Sequence, residues 1–427
     1  MKVTIYRGAK EIGGTCIEIQ SKRTKILVDF GLPLVDQNRE RFDSKSLTGK
    51  SVEDLKKLNV LPDINGLYKG EKSTYDAIML SHSHQDHYGL LSFVNPEIPV
   101  YMSKGCKELI EVSNFFGQTE YDLKNIKTVE MWQSFQAGDF TITPYLVDHS
   151  GFDALAFLIE SENKKIFYSG DFRSHGRKGV LFRKFLDNPP QNVDYLIMEG
   201  SMIGRDTGQY QTETDVENEM TSLLKGRSCL FFIACSSQNI DRLVSIYRAC
   251  VKSSRIFVID PYTAFIMDKL KTISKNIPQY DWGKNIRLFF VPNRYTEKMA
   301  GNQSLFKFKS AKITYQQMQE MRNQLVIKDS YLTRKIFAKK QDLGDSTLIY
   351  SMWNGYLPDV KPFWEQNNIP IVEIHASGHA YVEDLQKFVK ALNPKYIIPN
   401  HTFYPERYVD FFGDNVRIVN DKDPIEI

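Results

Sequence analysis

Short apolar runs, each closed by a polar or glycine residue, recur through the first part of the chain. Lys25-Ile26-Leu27-Val28 stands before Asp29, Ala77-Ile78-Met79-Leu80 before Ser81, and Ile166-Phe167-Tyr168 before Ser169-Gly170-Asp171. Continuous apolar runs this short predict strands buried on both faces, whose C-terminal ends deliver a carboxylate or a histidine. Residues 1–200 are strand-rich on this reading, with helices around 50–58 and 104–115. From about residue 205 the rhythm lengthens: a strand over Leu230 to Ala234, a helix from about Asn239 to Lys252, a strand over Ile256 to Ile259, and a helix beginning near Ala264. Consecutive strand–helix–strand units predict a doubly wound α/β domain.

Near Pro370 the first rhythm returns. Ile371-Val372-Glu373-Ile374 precedes His375, a helix is expected from about Val382 to Leu392, and Tyr396-Ile397-Ile398 runs into Pro399-Asn400-His401. The histidines of the two ends belong together, so an inserted domain fits better than a tandem one. The expected division is 1–204, 205–369 and 370–427. A chain of 427 residues exceeds the usual span of one hydrophobic core, which agrees with more than one domain.

Composition changes this picture little. With 42% hydrophobic and 25% charged residues the chain is neither disordered nor fibrous. Met1 to Arg7 reads as an alternating strand with no features of a signal peptide. The longest apolar stretch, Cys229 to Cys235, falls far short of the roughly 20 residues that cross a bilayer. A cytoplasmic protein without membrane segments is therefore expected. The cysteines Cys16, Cys106, Cys229, Cys235 and Cys250 form no C-x-x-C pair, so they are read as small buried hydrophobes.

The chemistry is concentrated in Ser81-His82-Ser83-His84-Gln85-Asp86-His87, an H-x-H-x-D-H string placed directly after a strand. Imidazole with carboxylate is the donor set that suits zinc and related divalent ions. Seven of the eight histidines, His82, His84, His87, His149, His375, His379 and His401, follow apolar runs or lie in the loops leaving them. A two-metal site is expected, with His82, His84 and His149 on one ion, Asp86, His87 and His401 on the other, and Asp171 spanning the pair. A hydroxide between the ions would complete both shells, and such a pair supports hydrolysis. Asp29 either hydrogen-bonds a ligand histidine from behind or stabilises the turn after its strand. His175 is read as a loop or supporting residue.

His375, Ser377 and Gly378 form a glycine-containing turn ahead of a helix, where backbone N–H groups, a hydroxyl and an imidazole could cradle a substrate phosphate. A helix cap by Ser377 is the competing reading. Overall charge is only +3, but between 284 and 340 thirteen basic residues face three acidic ones, with Phe306, Phe308, Tyr315, Tyr331 and Phe337 interleaved. Such a stretch suits a surface that follows phosphates and stacks bases, although solvated helix faces would also be charged.

In these residues the chain resembles the metallo-β-lactamase fold and, within it, the β-CASP nucleases, the group that includes ribonuclease J and the pre-mRNA cleavage endonuclease. Asp29, the histidine string, His149 in Val147-Asp148-His149-Ser150 and Asp171 in Ser169-Gly170-Asp171-Phe172-Arg173 match the four metallo-β-lactamase motifs in order. Glu199 in Met198-Glu199-Gly200-Ser201, His379 in His375-Ala376-Ser377-Gly378-His379-Ala380, and His401 match the three further β-CASP motifs. The resemblance implies an α/β chain, an αββα sandwich carrying the inserted β-CASP domain, and an RNA-specificity segment from about His375 to Arg407. Thr402-Phe403 stand where many relatives carry Gly-Glu, so contacts made by that acid do not carry over. The chain ends at Ile427, so the extra C-terminal domain of ribonuclease J is expected to be missing.

The resemblance further implies that His379 is the general acid, oriented by Glu199, and that Asp86 also holds the attacking hydroxide. The expected activity is that of a binuclear zinc-dependent phosphodiesterase, a ribonuclease leaving 5′-phosphate and 3′-hydroxyl ends. Its expected partner is single-stranded RNA, and a homodimer stays open. The rival readings are a small-molecule hydrolase of thioesters, lactones or lactams, and a non-catalytic RNA- or protein-binding scaffold.

Overall fold

The computed structural model describes residues 1–36, 40–118, 121, 124–206, 208–209 and 211–427. The chain folds as two units, Met1–Asp206 with Gly378–Ile427, and Thr207–Ser377.

The first unit holds two sheets. The strands β1 (Lys2–Arg7), β2 (Cys16–Gln20), β3 (Lys25–Val28), β4 (Ala77–Met79), β5 (Val100–Met102) and β6 (Ile126–Thr128) belong to one sheet. The strands β7 (Phe135–Ala137), β8 (Phe140–Leu146), β9 (Leu155–Ser161), β10 (Lys164–Tyr168) and β11 (Tyr195–Glu199) belong to the other. Side chains alternate across these strands, as the two-residue period requires. Ile26 and Val28 point into a core shared with Phe140, Phe157, Ile166 and Ile197 of the second sheet, which places the sheets face to face. Leu27 points the other way, into a cluster with Leu55 of the helix Val52–Lys57 and with Cys106 and Ile110 of the helix Lys104–Phe115. On the outer face of the second sheet, Phe167 and Leu196 pack with Phe182, Leu385 and Phe388 of two helices, Val180–Asp187 and Val382–Leu392. Helix, sheet, sheet and helix layers make the αββα sandwich that the motifs implied.

The second unit is built on one parallel sheet of β12 (Leu230–Ala234), β13 (Ile256–Ile259), β14 (Ile286–Phe289), β15 (Lys312–Ile313), β16 (Leu325–Lys328), β17 (Ser346–Tyr350) and β18 (Ile371–Glu373). Its order is β15-β14-β13-β16-β12-β17-β18, a doubly wound pattern. The return to the first unit carries β19 (Tyr396–Asn400), parallel to β11, and β20 (Pro424–Glu426), antiparallel to β1.

Three sequence expectations shift. The helix expected near Ala264 begins at Pro261, because Asp260 caps it and proline is at home at a first helical position. The run Ile371–Glu373, expected with the return segment, pairs with β17 and so lies in the sheet of the second unit. Of the aromatics interleaved in the basic stretch, Phe308 and Phe337 are buried, while Phe306 and Tyr331 are exposed. Several of its cations are also engaged within the unit: Arg322 pairs with Asp342, Arg334 with Asp329, and Lys328 with Asp260. Among the described residues no helix is long and apolar enough to cross a membrane. All five cysteines are buried and unbridged.

Candidate metal centre

Strand ends deliver the site. After β4 the chain runs through Ser81 and His82 into a four-residue helix, Gln85–Tyr88, with His84 at its N-cap and Asp86 and His87 in its first turn. His84 makes no capping bond with its side chain and turns instead toward His149, whose Nε2 lies 3.2 Å from His84 Nδ1. Asp171 follows β10. His401 follows β19 in the left-handed region, at φ 52°, held by its N–H donating to the Gly8 carbonyl at 2.7 Å.

Two groups of donor atoms result, each within 4.8 Å of one another: His82, His84 and His149, and Asp86, His87, Asp171 and His401. A third such group joins His149 and Asp171 to His379. Asp171 is central, with Oδ2 3.1 Å from His87 Nε2, 3.6 Å from His401 Nε2, 3.8 Å from His82 Nε2 and His379 Nδ1, and 3.9 Å from His149 Nε2. Tetrahedral zinc with bonds near 2.0–2.1 Å would set its ligand atoms about 3.3 Å apart, which is the scale of these separations.

The outer nitrogens are committed, which aims the inner ones. His87 Nδ1–H donates to Asp29 Oδ2 at 2.8 Å, His149 Nδ1–H to the Gly378 carbonyl at 2.7 Å, and His82 Nδ1 lies 3.0 Å from Ser81 Oγ. His401 Nδ1 lies 3.1 Å from Thr15 Oγ1 and 3.3 Å from the Gly13 N–H. The Gly13 N–H donates to that nitrogen, so Nδ1 of His401 is engaged on the side away from Asp171. In the opposite direction, the Nε2 atoms of His82, His87 and His401 and both carboxylate oxygens of Asp171 are buried with no hydrogen-bond partner. Buried polar atoms are rarely left unpaired, so a converging set of five such atoms fits a cation.

Electrostatics agree. Burial pushes His84 down to about 4, and pushes His82 and His149 well below and His401 below the ordinary imidazole range. These imidazoles are held neutral, the state that binds a metal. His87 goes the other way: burial opposes its charge, but Asp171, Asp29 and Asp86 together raise it. A carboxylate pocket that stabilises a proton there is one that a cation can occupy.

Asp29 lies behind the histidine cluster. It accepts from the Ser81 N–H and hydroxyl, each at 2.7 Å, from His87, and from the Tyr168 hydroxyl at 2.7 Å. Glu199 lies 3.3 Å from His379 Nδ1 and accepts from the N–H groups of Ser201, Phe172 and Ala380. Burial opposes a charge on His379, yet Glu199 and Asp171 outweigh it and raise its pKa. His175 stacks on Tyr381 with ring centres 4.3 Å apart.

The turn of His375, Ser377 and Gly378 falls at the boundary of the two units. His375 Nδ1 is 3.0 Å from the buried Arg242 guanidinium, and Gly378 serves the site through its carbonyl. Ser377 does not cap the following helix, whose N-cap is Tyr381. Sequence reasoning missed Tyr168 and Thr15. The position of Tyr168 at the end of a buried strand aimed at Asp171 was a usable signal, whereas Thr15 had none.

Comparison with known proteins places this geometry. Residues 65–218 match the family described as beta-lactamase superfamily domain, and residues 368–406 match that described as Zn-dependent metallo-hydrolase RNA specificity domain. The chain is 22% identical to ribonuclease J of Mycoplasma genitalium over 94% of its own length and 67% of the relative's. It is likewise 22% identical to ribonuclease J of Helicobacter pylori over 95% of its length and 56% of the relative's. A crystal structure of a protein of unknown function from Enterococcus faecalis V583 covers 99% of the chain with TM-score 0.79 and 21% identity, which shows the shared fold. Both family matches fall on segments that build the centre, and the ribonuclease J relatives align through the inserted unit as well: the chain carries a beta-lactamase superfamily domain and an RNA specificity segment, and along nearly its whole length it is similar to the β-CASP nucleases of the metallo-β-lactamase fold.

Proposed function

We propose that the chain is a two-metal phosphodiesterase that hydrolyses RNA to 5′-phosphate and 3′-hydroxyl ends. The observation that carries this reading is the position of Asp171 Oδ2, buried without a hydrogen bond and within 3.1–3.9 Å of nitrogens of five histidines. His82, His84 and His149 would hold one ion, Asp86, His87 and His401 the other, and Asp171 both. Zinc suits this imidazole–carboxylate set, and such a pair, when bound, would acidify water and offset negative charge on the phosphoryl and leaving oxygens.

The remaining work falls to side chains of the protein. Asp86 orients the attacking water. His379 hands its proton to the leaving ribose oxygen, and Glu199, 3.3 Å from Nδ1, sets the ring so that Nε2 carries that proton. The raised pKa of His379 keeps the acid form populated. His375, Ser377 and the N–H of Gly378 serve as the phosphate cradle. The ribonuclease J relatives and the RNA specificity match support RNA as the substrate, which we read as single-stranded. A cytoplasmic enzyme fits this substrate.

The deciding experiment incubates metal-loaded protein with 5′-monophosphorylated RNA, 5′-hydroxyl RNA, single-stranded DNA, a generic phosphodiester, and thioester and lactone substrates, and maps product ends. RNA cleavage leaving 5′-phosphates is expected, and a His379→Ala variant should lose about 10²–10⁴-fold in kcat with its metal content unchanged. Turnover of the thioester or lactone alone would replace the nuclease with a small-molecule hydrolase, and inactivity on every substrate would favour a binding scaffold.

A further inference from the structure

Asp148 immediately precedes His149, and Arg173 lies two residues beyond Asp171. The two flanking residues are joined through both backbone and side chain. The Arg173 N–H donates to the Asp148 carbonyl at 2.7 Å, forming an isolated antiparallel bridge, and Arg173 Nε donates to Asp148 Oδ1 at 3.2 Å. Both side chains are wholly buried. Asp148 Oδ2 also accepts from the Lys178 N–H at 3.0 Å, so the chain folds back over the pair. Gly176 closes it, since a Cβ there would meet Asp148 Oδ1 at 2.2 Å and Arg173 Nε at 2.4 Å.

A buried ion pair is a poor source of stability, because the desolvation of both charges offsets their attraction and apolar replacements of similar size are often as stable. Its directional geometry, by contrast, defines how two segments sit against each other, and the planar guanidinium does this better than an ammonium. We propose that Arg173 is a positioning residue of the metal centre, setting the His149 loop against the Asp171 loop through Asp148. The pair holds His149 Nε2 and Asp171 Oδ2 at the separation, 3.9 Å, that lets both loops serve one centre. This inference rests on the metal-binding reading of the site.

The test uses the full-length chain with Arg173→Lys, Arg173→Met, and Arg173→Met combined with Asp148→Leu. Metal stoichiometry and affinity are measured by elemental analysis and chelator competition with zinc, alongside thermal unfolding of the metal-free forms. Arg173→Met alone should be the least stable, because it strands a buried carboxylate. The double variant should recover part of the unfolding temperature that Arg173→Met loses, short of the parent because Leu leaves the Lys178 N–H without its acceptor, yet bind zinc about 10–100-fold more weakly than the parent, with Arg173→Lys between parent and double variant in affinity. Parental zinc affinity in the folded double variant, or in Arg173→Lys should the double variant not fold, overturns the proposal. Parental protein that takes up no zinc overturns the metal reading itself, which is a separate outcome.

Discussion

Asp29 accepts the Nδ1 proton of His87 at 2.8 Å while its own backbone sits in the left-handed region at φ 56°. That conformation turns the carboxylate back toward the strand ends, where Ser81 and Tyr168 also donate to it. Asp29→Asn removes the charge and puts a donor where three donors already point. Metal affinity should fall about 10–100-fold, read by chelator competition, with the far-ultraviolet circular dichroism spectrum retained. Unchanged affinity would reduce Asp29 to a turn residue.

Gly31 lies where backbone meets backbone. The segment around it bonds to the histidine string, Phe30 N–H to the His87 carbonyl at 2.7 Å and Leu32 N–H to the Gln85 carbonyl at 2.8 Å, and a Cβ on Gly31 would stand 1.6 Å from the Asp86 carbonyl oxygen. Nothing flexible is available to give way. Gly31→Ala should therefore shift the Asp86–His87 turn and cost at least about 2 kcal/mol by urea denaturation, with metal content reduced. Parental values of both would mean that the turn tolerates displacement.

Chelation should lower the unfolding temperature, because the unpaired nitrogens of His82, His87 and His401 would then surround an uncompensated Asp171. Restoring metal at a free concentration 100 times its Kd should return about 2.7 kcal/mol. The measurement is differential scanning fluorimetry with and without chelator, and no shift at saturating metal would argue against binding at this buried cluster.

In the second unit Lys328 Nζ lies 3.1 Å from Asp260 Oδ2, with the lysine buried and the carboxylate 29% exposed. Burial opposes charge on both, yet each partner overrides it: Lys328 lowers the pKa of Asp260, and Asp260 raises that of Lys328. A depressed carboxylate pKa stabilises above its unfolded value of about 3.9 and is lost as pH falls through the folded one. A raised lysine pKa stabilises below about 10.4 and is lost as pH rises through the folded one. Lys328→Met should cost about 2 kcal/mol at neutral pH and flatten the acid limb of stability, followed by urea midpoints from pH 3 to 8. An acid limb as steep as that of the parent would show that other carboxylates set it.

The basic stretch illustrates where local reading stops. Its charge is visible in one dimension, but whether Lys328 faces Asp260 or a phosphate depends on which strand ends lie side by side, and the order β13-β16 brings those two together across 68 residues of chain. Phe308 and Phe337 were consumed by the core of the sheet for the same reason, since apolar burial does not distinguish a stacking platform from a packing residue. Strand pairing with β17, not composition, likewise assigned Ile371–Glu373 to its sheet.

By itself the amino-acid order determined the candidate ligand types, the strand-end rhythm and the return of the first rhythm near Pro370. Those features are local, since few residue types bind metal and a strand announces itself by a few consecutive side chains. Only the tertiary structure decided which nitrogen of each imidazole faces inward, and with it the service of Tyr168 to Asp29 and of Thr15 to His401, pairs 139 and 386 residues apart. A hydrogen bond depends on distance and angle in space, and a chain position carries neither until packing brings the partners together.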